Sequence, residues 1–129
     1  MTGRLLAVTG GHRVDMADFT AMLDAVCAER GWVWAHAVQP EAQRWLREDL
    51  AGEWDAVLLH DIPGLRLARG RMPEPFGPSA DEAAALLGLL RAGQGLVVTH
   101  HALAAWPLWD AWANAVGGRY LYAPGTLRG

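Results

Sequence analysis

One cysteine, Cys27, stands in 129 residues, and that scarcity excludes an internal disulfide and every multi-cysteine metal centre. Its setting, DAVCAER, carries a helical pattern, where a lone thiol serves as a small buried side chain. Basic charge is scarce too: 11 basic residues against 14 acidic ones leave a net charge of -3. Such a chain lacks the excess needed to neutralise a phosphate backbone, so nucleic acid is not an expected partner. No apolar run approaches the roughly 20 residues of a membrane span. The opening MTGRLLAVTGG has too short an apolar segment, and too early a glycine pair, for a signal peptide. No membrane partner is expected, and the expected compartment is the cytoplasm. Three motifs are missing as well: TGGHRVD after the first apolar run has neither GxGxxG nor the lysine of a phosphate loop, and no HxxxH spacing occurs.

What is present is a 52% hydrophobic composition with seven tryptophans spread along the chain, enough apolar side chain for one core and one domain. Four short apolar runs read as strands: Arg4 to Thr9, Trp32 to Val38, Trp54 to His60 and Gly95 to Thr99. Between them lie helical patterns. Asp15 precedes a stripe of Met16, Phe19, Met22, Leu23, Val26 and Cys27 that stops at Gly31, and Pro40 and Glu41 open a helix through Leu50. Ser79 with Glu82 forms a capping box for a helix burying Ala83, Leu86, Leu87 and Leu90. A Trp/Ala-rich helix after Pro107 ends at Gly117-Gly118, and Arg119 to Tyr122 begin another extended piece. From Asp61 to Pro78 the segment has no period and reads as a long loop, of the kind used as lids or binding loops. Arg66, Arg69 and Arg71 within it are either solvated or ready to grip an anion.

Strands alternating with helices specify a parallel sheet with helices on both faces, since each parallel pair needs a right-handed crossover. The expected fold is α/β and flavodoxin-like, with strand order second, first, third, fourth. That order brings the carboxyl ends of three strands together, carrying Gly10, Gly11 and His12, then His60 and Asp61, then His100 and His101. The glycine pair is a tight turn allowing close backbone approach to a ligand. A neutral imidazole takes a proton near physiological pH. Two or three imidazoles with Asp61 also match the ligand chemistry of a divalent metal such as zinc, so the cofactor stays open between none and such an ion. With no HxxxH spacing, proton transfer is the preferred chemistry and no residue is assigned to a metal. His36 sits inside the second strand, apart from this set. The turn after the fourth strand offers Thr99-His100-His101 in place of a cysteine or serine nucleophile.

Several stretches together resemble the ThuA-like, trehalose-utilisation family. They are Thr9-Gly10-Gly11-His12, Trp54-Asp55-Ala56-Val57, the turn Asp61-Ile62-Pro63-Gly64, and AGQGLVVTHHALAAWPLWDAWANAVGGRYLYAPG from Ala92 to Gly125. The resemblance implies the fold of class I glutamine amidotransferases and a role in carbohydrate metabolism: action on disaccharides or 3-keto sugars by moving protons beside the ketone. It makes His12 and His100 the inherited catalytic residues. Gly10, Gly11, His60, Asp61 and His101 are their neighbours in position, and Trp106 is a candidate for stacking on a sugar. Family members run further, so the chain is expected to be a single domain lacking its C-terminal part. Two alternatives are carried: a non-catalytic interaction module keeping the fold, with an exposed sheet edge suited to a homo-oligomer, and a metal-dependent hydrolase.

Overall fold

The structure, a computed structural model, describes residues 2–122. Strand β1 (Arg4–Gly10) is followed by α1 (Met16–Arg30), β2 (Val33–Val38), β3 (Ala56–Asp61), the short β4 (Leu65–Arg66) and β5 (Glu74–Pro75), α2 (Ala80–Arg91), β6 (Leu96–Val98) and α3 (Asp110–Val116). Single 3-10 turns lie at Glu41–Trp45, Glu48–Leu50 and His100–Ala104. Four strands form one parallel sheet in the order β2-β1-β3-β6, the expected order. Among the described residues no helix is long and apolar enough to cross a membrane.

Side chains alternate across each strand, so the sheet has two apolar faces and needs cover on both. Leu5, Ala7 and Leu58 meet Phe19, Leu23 and Cys27 of α1 on one side. Leu6, Val8, Val57 and Leu59 meet Leu86 and Leu89 of α2, Trp112 of α3 and the buried Trp106 on the other. Local chemistry fixes where the helices begin and end. The Asp15 carboxylate accepts from the Ala17 and Asp18 amides, Gly31 closes α1 in the left-handed conformation, and Ser79 and Glu82 cap α2 reciprocally.

Five local expectations need correction. On α2, Leu86 is buried as expected but Leu89 joins it, whereas Ala83, Leu87 and Leu90 are only half-buried. Of the six-residue stripe on α1, only Phe19, Leu23 and Cys27 are buried, because the sheet covers one narrow band of the helix and leaves Met16, Met22 and Val26 exposed. The helix expected from Pro40 to Leu50 is replaced by two 3-10 turns, with Arg47 extended between them. Ala42 and Leu46 are buried in the core while Glu48 lies against Gly88 of α2, and the broken path satisfies both contacts. The 61–78 segment is not featureless: Leu65 pairs with Pro75 and Arg66 with Glu74 in an antiparallel ladder. The Arg66 guanidinium lies 4.7 Å from the Phe76 ring centroid. Finally, Arg119 to Tyr122 make no strand. Ala123 to Gly125, the end of the stretch that carries the family resemblance, lie outside the described residues.

Candidate functional site

In register, Thr9 lies beside His60 and Gly10 beside Asp61, while Val98 lies beside Leu59. Three strands therefore end on one level, and their next residues emerge at one rim. Gly10 (φ 124°) and Gly11 (φ 82°) turn the chain there. A Cβ on Gly11 would stand 2.7 Å from the Ile62 carbonyl oxygen, so only glycine lets the backbone cross the end of β3. This turn lays His12 over the neighbouring strand ends.

Four imidazoles then pack together. Ring centroids are 4.3 Å apart for His12 and His101, 4.0 Å for His100 and His101, 5.5 Å for His12 and His60, and 5.7 Å for His60 and His100. One ring nitrogen each from His12, His100 and His101 lies within 4.8 Å of the others. His12 Nδ1 is 3.0 Å from the Arg13 carbonyl oxygen, which only accepts, so that nitrogen carries the proton. Its Nε2 keeps a lone pair, is buried, and has no hydrogen-bond partner among the described residues. The Thr99 hydroxyl donates to the Leu59 carbonyl and so accepts from His60 Nδ1–H at 3.0 Å. The His60 ring is stacked between Phe19 and His100. His100 holds a left-handed backbone, φ 53°, which is strained for a residue with a Cβ.

Burial, and then the neighbouring His12 and His100, hold the His60 imidazole below its ordinary range. His101 is lowered in the same way, with His60 adding to the effect. Both rings therefore favour the neutral form, the form that accepts a proton or binds a metal.

His12, His100 and His101 line one end of a cavity of about 630 Å³. Its walls are apolar, from Leu65, Leu67 and Leu103, and are completed by Arg119, Tyr120 and Tyr122. The Tyr122 hydroxyl donates to the Ala104 carbonyl at 2.8 Å and Arg119 pairs with Asp110, which holds this last segment against the cavity. On the far side of the cluster, His12, His60 and His100 face a shallower depression with Phe19 and Met22.

The rim thus gathers His12, His60, His100 and His101 and leaves out other expected residues. Asp61 follows His60 in β3 and so points to the opposite face, where it is 2% exposed and accepts from Gln39 Nε2 at 2.8 Å. Burial raises its carboxyl to about 6, with the Gln39 hydrogen bond working against that rise. Trp106 is buried against Phe76 and Trp109 and offers no face to the cavity. Gly10 and Gly11 shape the turn without lining the cavity. His36 bonds the Thr9 hydroxyl at 2.8 Å on the edge strand. The walls from Arg119, Tyr120 and Tyr122 were not assigned a role from the sequence, although Gly117-Gly118 ahead of two tyrosines was the available sign of a chain turning back.

Fold and cavity together define a parallel α/β protein with a histidine-lined cavity at the carboxyl ends of its strands. No family model, curated protein or solved structure matches the chain.

Proposed function

We propose that this chain is a small-molecule enzyme of carbohydrate metabolism, ThuA-like and flavodoxin-like in fold, that moves a proton beside the ketone of a 3-keto sugar. The observation carrying this reading is the convergence of His12, His100 and His101 on one apolar-walled cavity of about 630 Å³, within the usual range for a small-molecule site. The resemblance to the ThuA-like family supports it from the side of the sequence.

Removing a proton next to a ketone needs a base that is neutral at working pH and a donor at the oxygen where charge develops. His12 Nε2, whose lone pair is left free because Nδ1–H donates to the Arg13 carbonyl, is the base. His100, left-handed at the head of its turn, faces the same cavity and stabilises the enediolate oxygen. The chain contains no lysine, so no side-chain amine is present to activate the ketone as an iminium. The imidazoles of the rim supply acid–base catalysis without one. Tyr120 replaces Trp106 as the aromatic wall against a sugar.

Incubation with 3-keto-disaccharides in deuterium oxide is expected to show exchange at the carbon beside the ketone. His12→Ala and His100→Ala each slow that exchange by about 10²-fold or more, the usual range for losing a general acid or base. Wild-type rates in both variants reject the assigned roles.

A second reading, a non-catalytic interaction module, rests on β6. Its Val97 side chain is exposed on the α1 side of the sheet, beyond the reach of that helix. Concentration-dependent association together with no exchange on any keto sugar favours this reading.

A further inference from the structure

We infer that His12, His100 and His101 form a three-nitrogen site for a divalent transition ion of the zinc class, with a fourth position open to the cavity. The inference goes beyond the proton-transfer reading and competes with it for one atom, because a His12 Nε2 lone pair given to an ion cannot also take a proton.

The geometry is close to what coordination needs. Nitrogens bound at 2.0–2.1 Å to a common tetrahedral zinc lie about 3.3 Å apart. In this chain three candidate nitrogens lie within 4.8 Å of one another, so small side-chain rotations close the set. The His12 Nε2 lone pair is buried with no hydrogen-bond partner among the described residues, a condition that is costly if nothing answers it. The opposite nitrogen of the same ring donates to a backbone carbonyl, the arrangement that orients a metal-bound histidine and fixes its tautomer.

Consecutive histidines in a strand would face opposite ways. Here β6 ends at Val98, His100 takes a positive φ, and the 3-10 turn carries both rings to the cavity. The left-handed residue is therefore what allows two neighbours in sequence to serve one centre. The donor set also selects the ion. Three imidazoles without a thiolate or carboxylate suit zinc, cobalt, nickel or copper and not magnesium or calcium. Cys27 is buried on the sheet-facing side of α1, and Asp61 faces the opposite side of the sheet. With the ion in place, His12 and His100 are ligands, and the charge that polarises a carbonyl oxygen is the ion's.

The untagged full chain, stripped with a chelator, is titrated with zinc chloride by calorimetry and with cobalt chloride by visible absorption. Expected are one zinc per chain, an intense tetrahedral cobalt spectrum, and a higher melting temperature with zinc. His12→Gln and His101→Gln weaken zinc binding by about 10²-fold or more, while His36→Gln leaves it unchanged. Far-ultraviolet circular dichroism checks that each variant is folded. A wild-type chain that takes up no zinc overturns the inference, as does stoichiometric binding that survives the loss of His12 and His101. Exchange on a keto sugar, measured in the same samples, separates the two readings. Stoichiometric zinc without exchange keeps the ion site and removes the proton-transfer function; exchange by protein that takes up no zinc does the reverse.

Discussion

His60 and Asp61 are adjacent and end on opposite faces of the sheet, and that single alternation separates a site residue from a core residue. The carboxyl holds its proton up to about pH 6 in the fold, against 3.8 for an ordinary aspartate. The folded state therefore binds more protons than the unfolded chain between those values. The stability tied to the neutral acid is complete below about 3.8 and is lost as pH rises through 6. A shift of this size corresponds to the order of 3 kcal/mol. Asp61→Asn, which keeps an acceptor for Gln39, is expected to raise unfolding free energy near neutral pH by about 1–3 kcal/mol. The difference between variant and wild type should shrink steadily from about pH 7 to about pH 4. His60 and His101 titrate with the opposite sign, since their folded values are lowered and their contribution is lost as pH falls. Subtracting one protein's curve from the other removes that shared background. Urea titrations at a series of pH values provide the data, and a constant difference would show that Asp61 is not held neutral.

That histidines end or follow three of the apolar strands was legible in the chain, because the strands show in its periodicity. The orientation of their rings was not. Nothing local says that His100 adopts a positive φ, or that Trp106 turns into the core while Tyr120 lines the cavity.

Elements were readable where short-range chemistry decides them. The capping box at Ser79, the Asp15 cap and the glycine stops are contacts within four residues, and the structure contains them where the pattern put them. The helix expected at Pro40 to Leu50 failed for the opposite reason: Ala42, Leu46 and Glu48 answer to partners in the core and on α2. Among the turns, Gly11 carries a large local demand. Gly11→Ala places a Cβ at φ 82° and 2.7 Å from a backbone oxygen, so it is expected to cost about 2–3 kcal/mol or more and to displace His12. Gly31→Ala, at φ 66° with open space around it, costs about 1 kcal/mol from backbone conformation alone. Denaturant midpoints of the two variants compare the contributions. Equal losses would mean that the close approach to Ile62 does not constrain the turn.

The whole molecule covers its sheet unequally. α2, α3, Trp106 and Trp109 close one face, whereas the other is covered by α1 with Trp32 and Trp34 and leaves Val97 of β6 exposed. Leu89→Ala, at 1% exposure, is expected to cost about 2–5 kcal/mol, and Val97→Ala less than about 1 kcal/mol. Equilibrium unfolding of both variants is the check. A large loss at Val97 would show that something covers that face in solution.

At this scale the strand order followed from the alternation of strands and helices, because parallel pairing with right-handed crossovers leaves few arrangements open. The four sheet strands, α1, α2 and α3 in their order, the helix caps, and the placing of histidines at three strand ends belong to the sequence alone, for they depend on periodicity and on contacts a few residues apart. Tertiary structure decided the rest: that four imidazoles meet, that His100 and His101 share a cavity, that Asp61 is withdrawn from it, and that two tyrosines enclose it. Those outcomes depend on register between distant strands and on backbone turns stabilised by atoms far away in the chain. A pattern read over a few neighbouring residues holds no record of either.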